Sequence, residues 1–128
     1  MIAEKLHAMV VLDMANSRMK DFFDLWTIAV RHELSGKVVA QAVAATFEHR
    51  ATPLPDSPPL ALTEAFYKSP MKQAQWVAFL RKSRVSSAPS ELAAVARQLR
   101  ELILPILDSL SGDRSFRRAW RPGGPWSQ

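Results

Sequence analysis

The sequence predicts an all-α fold, a helical bundle of about five to six helices, and three observations predict it. Apolar residues recur at three- and four-residue spacing along most of the chain, as the buried stripe of a helix requires. No stretch of useful length alternates apolar and polar residues as a half-buried strand does, and no internal repeat is present. Asn, Ser, Gly and Pro punctuation cuts the chain into helix-sized pieces. With 128 residues and 48% hydrophobic content the chain is long enough for one domain with a core of its own.

The elements follow in order. Residues 2–15 read as helix, with Ile2, Leu6, Met9 and Val10 on one face, and Asn16-Ser17 as the break and N-cap of a second helix over residues 18–34. Ser35-Gly36 interrupts, and Val38, Val39, Ala42, Val43, Thr46 and Phe47 give a third helix its apolar stripe. Between Thr52 and Pro59 the residues Pro53, Pro55, Asp56, Pro58 and Pro59 forbid a helix. Thr63 caps a short helix through Tyr67, and Ser69-Pro70 starts a fifth that runs to about Lys82, burying Trp76, Val77, Phe79 and Leu80. After a turn at Ser86 to Pro89, Ser90 to Leu110 form a long last helix in which Leu92, Val95, Ala96, Leu99, Leu102, Ile103 and Ile106 share a face. Pro105 is expected to kink it or to end its regular part near Leu104. The organisation is a helical domain over residues 1–112 and a basic, aromatic tail over residues 113–128.

Composition narrows the function classes. There is no cysteine, hence no disulfide framework and no thiolate metal site, which fits a cytoplasmic protein. The apolar runs Met9 to Leu12 and Leu102 to Leu107 fall well short of the roughly 20 residues a membrane span needs, so no membrane role is expected, and Glu4 and Lys5 interrupt any signal peptide. His7, His32 and His49 have no second ligand at metal spacing, so no metal site is expected. His7, two residues from Lys5, is expected on a different helix face. Ser17, Ser35 and Ser69 read as caps, and the five methionines as core filler. Net charge is +5, unevenly spread: residues 1–67 carry six Lys/Arg against eight Asp/Glu, and residues 68–128 eleven against four. The basic half is the candidate for a salt-dependent RNA contact, with solubility as the alternative. In the tail, Arg117, Arg118 and Arg121 stand beside Phe116, Trp120 and Trp126. Arginine next to aromatics can hold single-stranded RNA by phosphate contact and stacking; alternatively the tryptophans fold back onto the bundle and the arginines face water.

The strongest chemical signal lies near the start. Asp21 and Asp24 are three apart in a helical pattern, so both carboxylates share a face. With Asn16-Ser17 as the turn of an antiparallel hairpin, Lys5 and Asp24 come to heights that differ by roughly 4 to 5 Å, within reach of a lysine. An ammonium held between two carboxylates suits a phosphate site; the alternative is a structural ion pair.

The runs Ile2-Ala3-Glu4-Lys5-Leu6-His7-Ala8-Met9 and Asn16-Ser17-Arg18-Met19-Lys20-Asp21-Phe22-Phe23-Asp24-Leu25 resemble the last two signature motifs of the nucleotidyl transferase AbiEii/AbiGii toxin family. The likeness extends through Val43-Ala44-Ala45-Thr46-Phe47 to Arg50, Thr52-Pro53-Leu54-Pro55, Gln73-Ala74-Gln75-Trp76, Phe79-Leu80 and Pro122-Gly123-Gly124-Pro125-Trp126. The resemblance implies that Lys5 contacts nucleotide phosphates, that Asp21 supports it and that Asp24 is the second aspartate of the motif. Arg18 and Lys20 would add to the positive field; the alternative for them is solvated surface, with Lys20 pairing Asp24 at i,i+4.

The same resemblance implies Mg2+ and an NTP as cofactor and substrate of the complete enzyme, an RNA such as tRNA as acceptor, a cognate antitoxin and a place in phage defence. No Gly-Ser-x-x-Asp, the family's metal-holding element, occurs in the 128 residues. The chain is therefore expected to be a C-terminal fragment, from a truncated gene, a misplaced start codon or a separately encoded half, and inactive without an N-terminal half. The competing expectations are a non-catalytic helical RNA- or protein-binding module and an inactive remnant.

Overall fold

The computed structural model describes residues 2–15 and 18–127. Helix α1 (Ile2–Leu12) ends in a 3-10 turn (Asp13–Ala15), and α2 (Met19–Arg31) follows. Strand β1 (Leu34–Ser35) leads into α3 (Gly36–His49); a proline-rich loop and a second 3-10 turn (Leu60–Leu62) lead to α4 (Glu64–Tyr67). Then come α5 (Pro70–Lys82), the 20-residue α6 (Leu92–Ser111) and β2 (Ala119–Trp120). The all-α expectation stands, with one small addition: β1 and β2 pair antiparallel, Leu34 opposite Trp120 and Ser35 opposite Ala119. Strands of two residues show no alternation to read, and these partners lie far apart in sequence.

Helix α6 is the axis of the bundle, packing against α2, α3, α4 and α5. All seven of its predicted core residues are buried, joined by Leu107. Each of the leucine, isoleucine and valine side chains among them contributes on the order of 1.5–3 kcal/mol of apolar burial. As the long-helix reading expected, α6 runs on past Pro105, to Ser111, so the proline does not end it. Proline has no N–H for the Glu101 carbonyl and its ring crowds that oxygen, but Leu102, Ile103, Ile106 and Leu107 are buried and hold the helix in the core before and after it. No side chain of its own caps the start of α6. Gln73 of α5 does so instead: its Oε1 accepts from the Leu92 N–H at 2.8 Å while its Nε2 donates to the Ser90 carbonyl at 3.0 Å. One turn on, Trp76 Nε1 donates to the Pro89 carbonyl at 2.9 Å.

Ser35 and Ser69 are the N-caps of α3 and α5, each accepting from the backbone N–H three residues on. The Asn16-Ser17 turn and cap lie outside the described residues. Three details depart from the sequence reading. The stripe of α3 is Gly36, Val39, Ala40, Val43 and Phe47, whereas Val38 and Ala42 face solvent because the neighbouring α1 and α6 cover a face rotated by one position. Thr63 precedes α4 without a side-chain cap bond; its hydroxyl instead donates back to the Leu60 carbonyl. On α5, Trp76 is fully buried, Val77, Phe79 and Leu80 only half, and Lys72 is buried with its Nζ 4.9 Å from the centre of the Phe66 ring.

The segment after α6 packs into the same core. Phe116, Trp120 and Trp126 are buried, and the two indoles meet edge to face with centroids 5.2 Å apart. Trp120 Nε1 donates to the Ala29 carbonyl of α2 at 2.8 Å, and Trp126 Nε1 to the Leu102 carbonyl of α6 at 2.9 Å. The three rings are thus turned into the core, as the fold-back alternative expected, while Arg117, Arg118 and Arg121 lie exposed. No helix among the described residues is long and apolar enough to cross a membrane.

Candidate functional site

The residues picked from the sequence converge between α1 and α2. Lys5 Nζ lies 3.1 Å from Asp21 Oδ1 and 2.9 Å from Asp24 Oδ2, so a single ammonium bridges both carboxylates. Helical spacing puts the two aspartates on one face of α2, and that face meets α1. Asp21 is 6% exposed, and its second oxygen meets Arg18 Nε at 3.0 Å. Asp24 is shared with Lys20, whose Nζ is 2.8 Å from Oδ2. Arg18 and Lys20 are thus ion-paired within the cluster as well as exposed, as the i,i+4 alternative for Lys20 anticipated. Arg117, Arg118 and Arg121 belong to the segment after α6 and do not line this cleft.

Electrostatics follow from this geometry. Burial acts to lower the Lys5 pKa, but hydrogen bonds and attraction from Asp24 and Asp21 outweigh it and hold the amine above its ordinary value. For Asp24, burial acts to raise the pKa; the bonds from Lys20 and Lys5 prevail and hold it below the usual carboxylate range. Both groups are therefore charged at neutral pH, and Asp24 is a poor proton acceptor.

A cleft of about 490 Å³ opens beside the cluster, lined by Glu4, Lys5, His7, Ala8, Val11, Leu12, Arg18, Asp21 and Arg50. That volume lies within the range of small-molecule sites, about 300–1,000 Å³. Four basic side chains (Lys5, Arg18, Lys20, Arg50) face three carboxylates (Glu4, Asp21, Asp24) in and around it, leaving one net positive charge. Sequence reasoning missed the α3 side of this cleft. His7, expected on another face, lines it and meets Thr52 Oγ1 at 2.8 Å, because the turn after α3 comes up beside α1. Spacing within α1 carried part of the signal, since Glu4, Ala8 and Val11 repeat at i, i+4 and i+7. Nothing local placed Arg50 there, 46 residues from the Glu4 it pairs with.

The arrangement suits an anion better than a divalent cation. Among the described residues no group of three or more His, Cys, Asp or Glu could hold a metal ion, and Asp21 and Asp24 are already neutralised by three cations. The residues present therefore do not fit Mg2+.

A family profile described as nucleotidyl transferase AbiEii toxin, type IV toxin–antitoxin system, matches residues 1–103. The chain belongs to this family. AbiEii membership makes it a nucleotidyltransferase-type toxin and implies an antitoxin as partner. The match takes in α1 to α5 and the first part of α6, hence the whole Lys5 cluster; the closing Pro122 to Trp126 lies beyond it. No curated protein and no solved structure matches the chain.

Proposed function

We propose that this AbiEii chain supplies the phosphate-binding side of a cytoplasmic nucleotidyltransferase toxin that transfers a nucleotide from an NTP to an RNA such as tRNA. The observation that supports it is the Lys5 ammonium suspended between Asp21 and Asp24 at the edge of an open, net positive cleft. In such a transfer an RNA hydroxyl attacks the α-phosphorus and releases its proton to solvent, the bond to the bridging β-phosphate oxygen breaks, and negative charge gathers on the departing pyrophosphate. Lys5 neutralises that charge, and Asp21 and Asp24 keep the amine protonated and aimed. Arg18 and Lys20 complete the positive rim. The carboxylates that hold metal come from a Gly-Ser-x-x-Asp segment outside these 128 residues, which therefore form the C-terminal helical portion of the working enzyme.

The test is transfer of labelled nucleotide to tRNA. The 128-residue chain alone should give none. Joined to a segment carrying the missing element it should label RNA, and Lys5→Ala should abolish that labelling. Robust transfer by the chain alone would refute the division of labour proposed here.

A second reading, a non-catalytic RNA-binding module, is favoured by one observation: among the described residues no acidic side chain pairs with Arg117 or Arg118, although both are exposed. With the aromatics buried, such binding would be to phosphates alone. A gel-shift titration at several salt concentrations distinguishes the readings. A module binds RNA with a salt slope that survives Lys5→Ala and falls when Arg117, Arg118 and Arg121 are neutralised together; no binding at low salt removes it.

A further inference from the structure

We infer that Arg50 is a second phosphate-binding residue of the Lys5 cleft, with Glu4 as the resting counter-ion that a bound phosphate displaces. This rests on the reading of the cleft as a polyphosphate site. Arg50 follows α3 and lines the same cleft as Lys5 and Arg18, so α1 runs between a basic group leading into α2 and another leaving α3. A linear triphosphate is several ångströms long and carries charge along its length, which two separated cations and a central amine match better than one amine alone.

The turn that presents Arg50 is unusually constrained. Ala51 has φ 52°, a left-handed conformation that costs a non-glycine residue on the order of 1 kcal/mol and tends to occur where surrounding structure imposes it. Two backbone bonds impose it, Ala51 N–H to the Glu48 carbonyl at 3.0 Å and Thr52 N–H to the Phe47 carbonyl at 2.9 Å. The Thr52 hydroxyl donates to the Arg50 carbonyl at 3.2 Å and also meets His7 Nε2 at 2.8 Å, tying the turn to α1 beside the cleft. His7 is itself braced edge-on against Phe47, centroids 5.2 Å apart. The backbone of Arg50 is thus fixed, whereas its guanidinium is half-exposed and bound to one equally exposed carboxylate, Glu4 Oε2, at 2.6 Å. An exposed pair of this kind contributes little to folding and exchanges readily for a doubly charged phosphate oxygen set.

The experiment is calorimetric titration of the 128-residue chain with sodium tripolyphosphate at low salt, with circular dichroism to verify folding of each variant. Arg50→Ala should weaken binding by about tenfold, as loss of one charge-assisted contact does, and Arg50→Lys should restore most of it. Glu4→Gln should tighten binding several-fold, because the competitor for Arg50 is gone. Arg81→Gln, at the far end of α5, controls for net charge and should leave affinity within about twofold. Equal weakening by Arg50→Ala and Arg81→Gln, or weaker binding by Glu4→Gln, would overturn the assignment. If Lys5→Ala abolishes binding while Arg50→Ala binds as the parent does, the Arg50 proposal fails and the phosphate reading survives. If Arg50→Ala weakens binding and Lys5→Ala does not, Arg50 stands and the role given to Lys5 falls. Absence of binding by the parent chain refutes both.

Discussion

Two regions tie distant parts of this chain together, and they do it by opposite means. The indoles of Trp120 and Trp126 join the last residues to α2 and α6 by burying aromatic surface, each with its one polar atom satisfied by a backbone carbonyl. Lys5, Asp21 and Asp24 join α1 to α2 by charge, and both the Lys5 and Asp24 side chains stay about one-fifth exposed. In the first junction both indole N–H groups are used, and the cavity beside it, lined by Leu34, Ala119, Trp120, Pro125 and Trp126 among others, presents mainly apolar surface rather than a cluster of cations. The second keeps solvent-accessible ionised groups beside a cleft, where a phosphate can compete for the cations. The largest share of stability and the candidate binding groups are thus placed in separate regions.

The largest effect should come from the apolar junction. Trp120→Ala removes a fully buried indole and should cost about 3–5 kcal/mol in chemical denaturation, enough to unfold a marginal domain. A loss below about 1 kcal/mol would mean that the segment after α6 is not part of the core. Next comes Gly36, whose N–H donates to the Arg118 carbonyl at 2.7 Å. A Cβ there would sit 2.5 Å from that same oxygen and 2.6 Å from the Phe116 ring, so Gly36→Ala should cost about 1–3 kcal/mol and lower the melting temperature.

The ionic junction should respond less than Trp120→Ala does, and in a pH-dependent way. Lys5→Met should cost about 1–3 kcal/mol at pH 7, because Asp21 retains Arg18 and Asp24 retains Lys20. The pKa of Asp24 is depressed by folding, so its contribution is full above about pH 4 and fades as pH falls through the lower folded value. That of Lys5 is raised, so its contribution is full below about pH 10 and fades as pH rises through the higher folded value. The stability gap between parent and Lys5→Met should therefore be flat across that window and close at both ends; a gap that persists at pH 2 would contradict the ion-pair account. The smallest change in folding belongs to Arg117→Gln with Arg118→Gln, exposed side chains whose joint loss should shift stability by less than about 0.5 kcal/mol while reducing any RNA affinity at low salt.

Helix positions were legible where one strong local cause acts. Ser69 and Pro70 start α5 as capping chemistry demands, and the apolar stripe of α6 is visible in its spacing. The exposure of Val38 was not, because neighbouring elements decide which face of α3 is covered. In the site, Asp21, Asp24 and Lys5 could be brought together from helical periodicity and a hairpin argument, whereas Arg50, Glu4 and His7 could not be assigned to one cleft. The Glu4 to Arg50 contact spans 46 residues and a helix that has no fixed direction until it packs.

By itself, then, the sequence determined the helical class, the absence of thiol chemistry, the two family motifs and the pairing of one lysine with two aspartates, all of them consequences of residue type and short-range spacing. Tertiary structure alone decided that α3 returns Arg50 to the mouth of the Lys5 cleft and that β2 brings Trp120 beneath α2. The physical reason is that long-range contacts are selected by the collective burial of the core, a property of how all the helices pack together that no local pattern encodes.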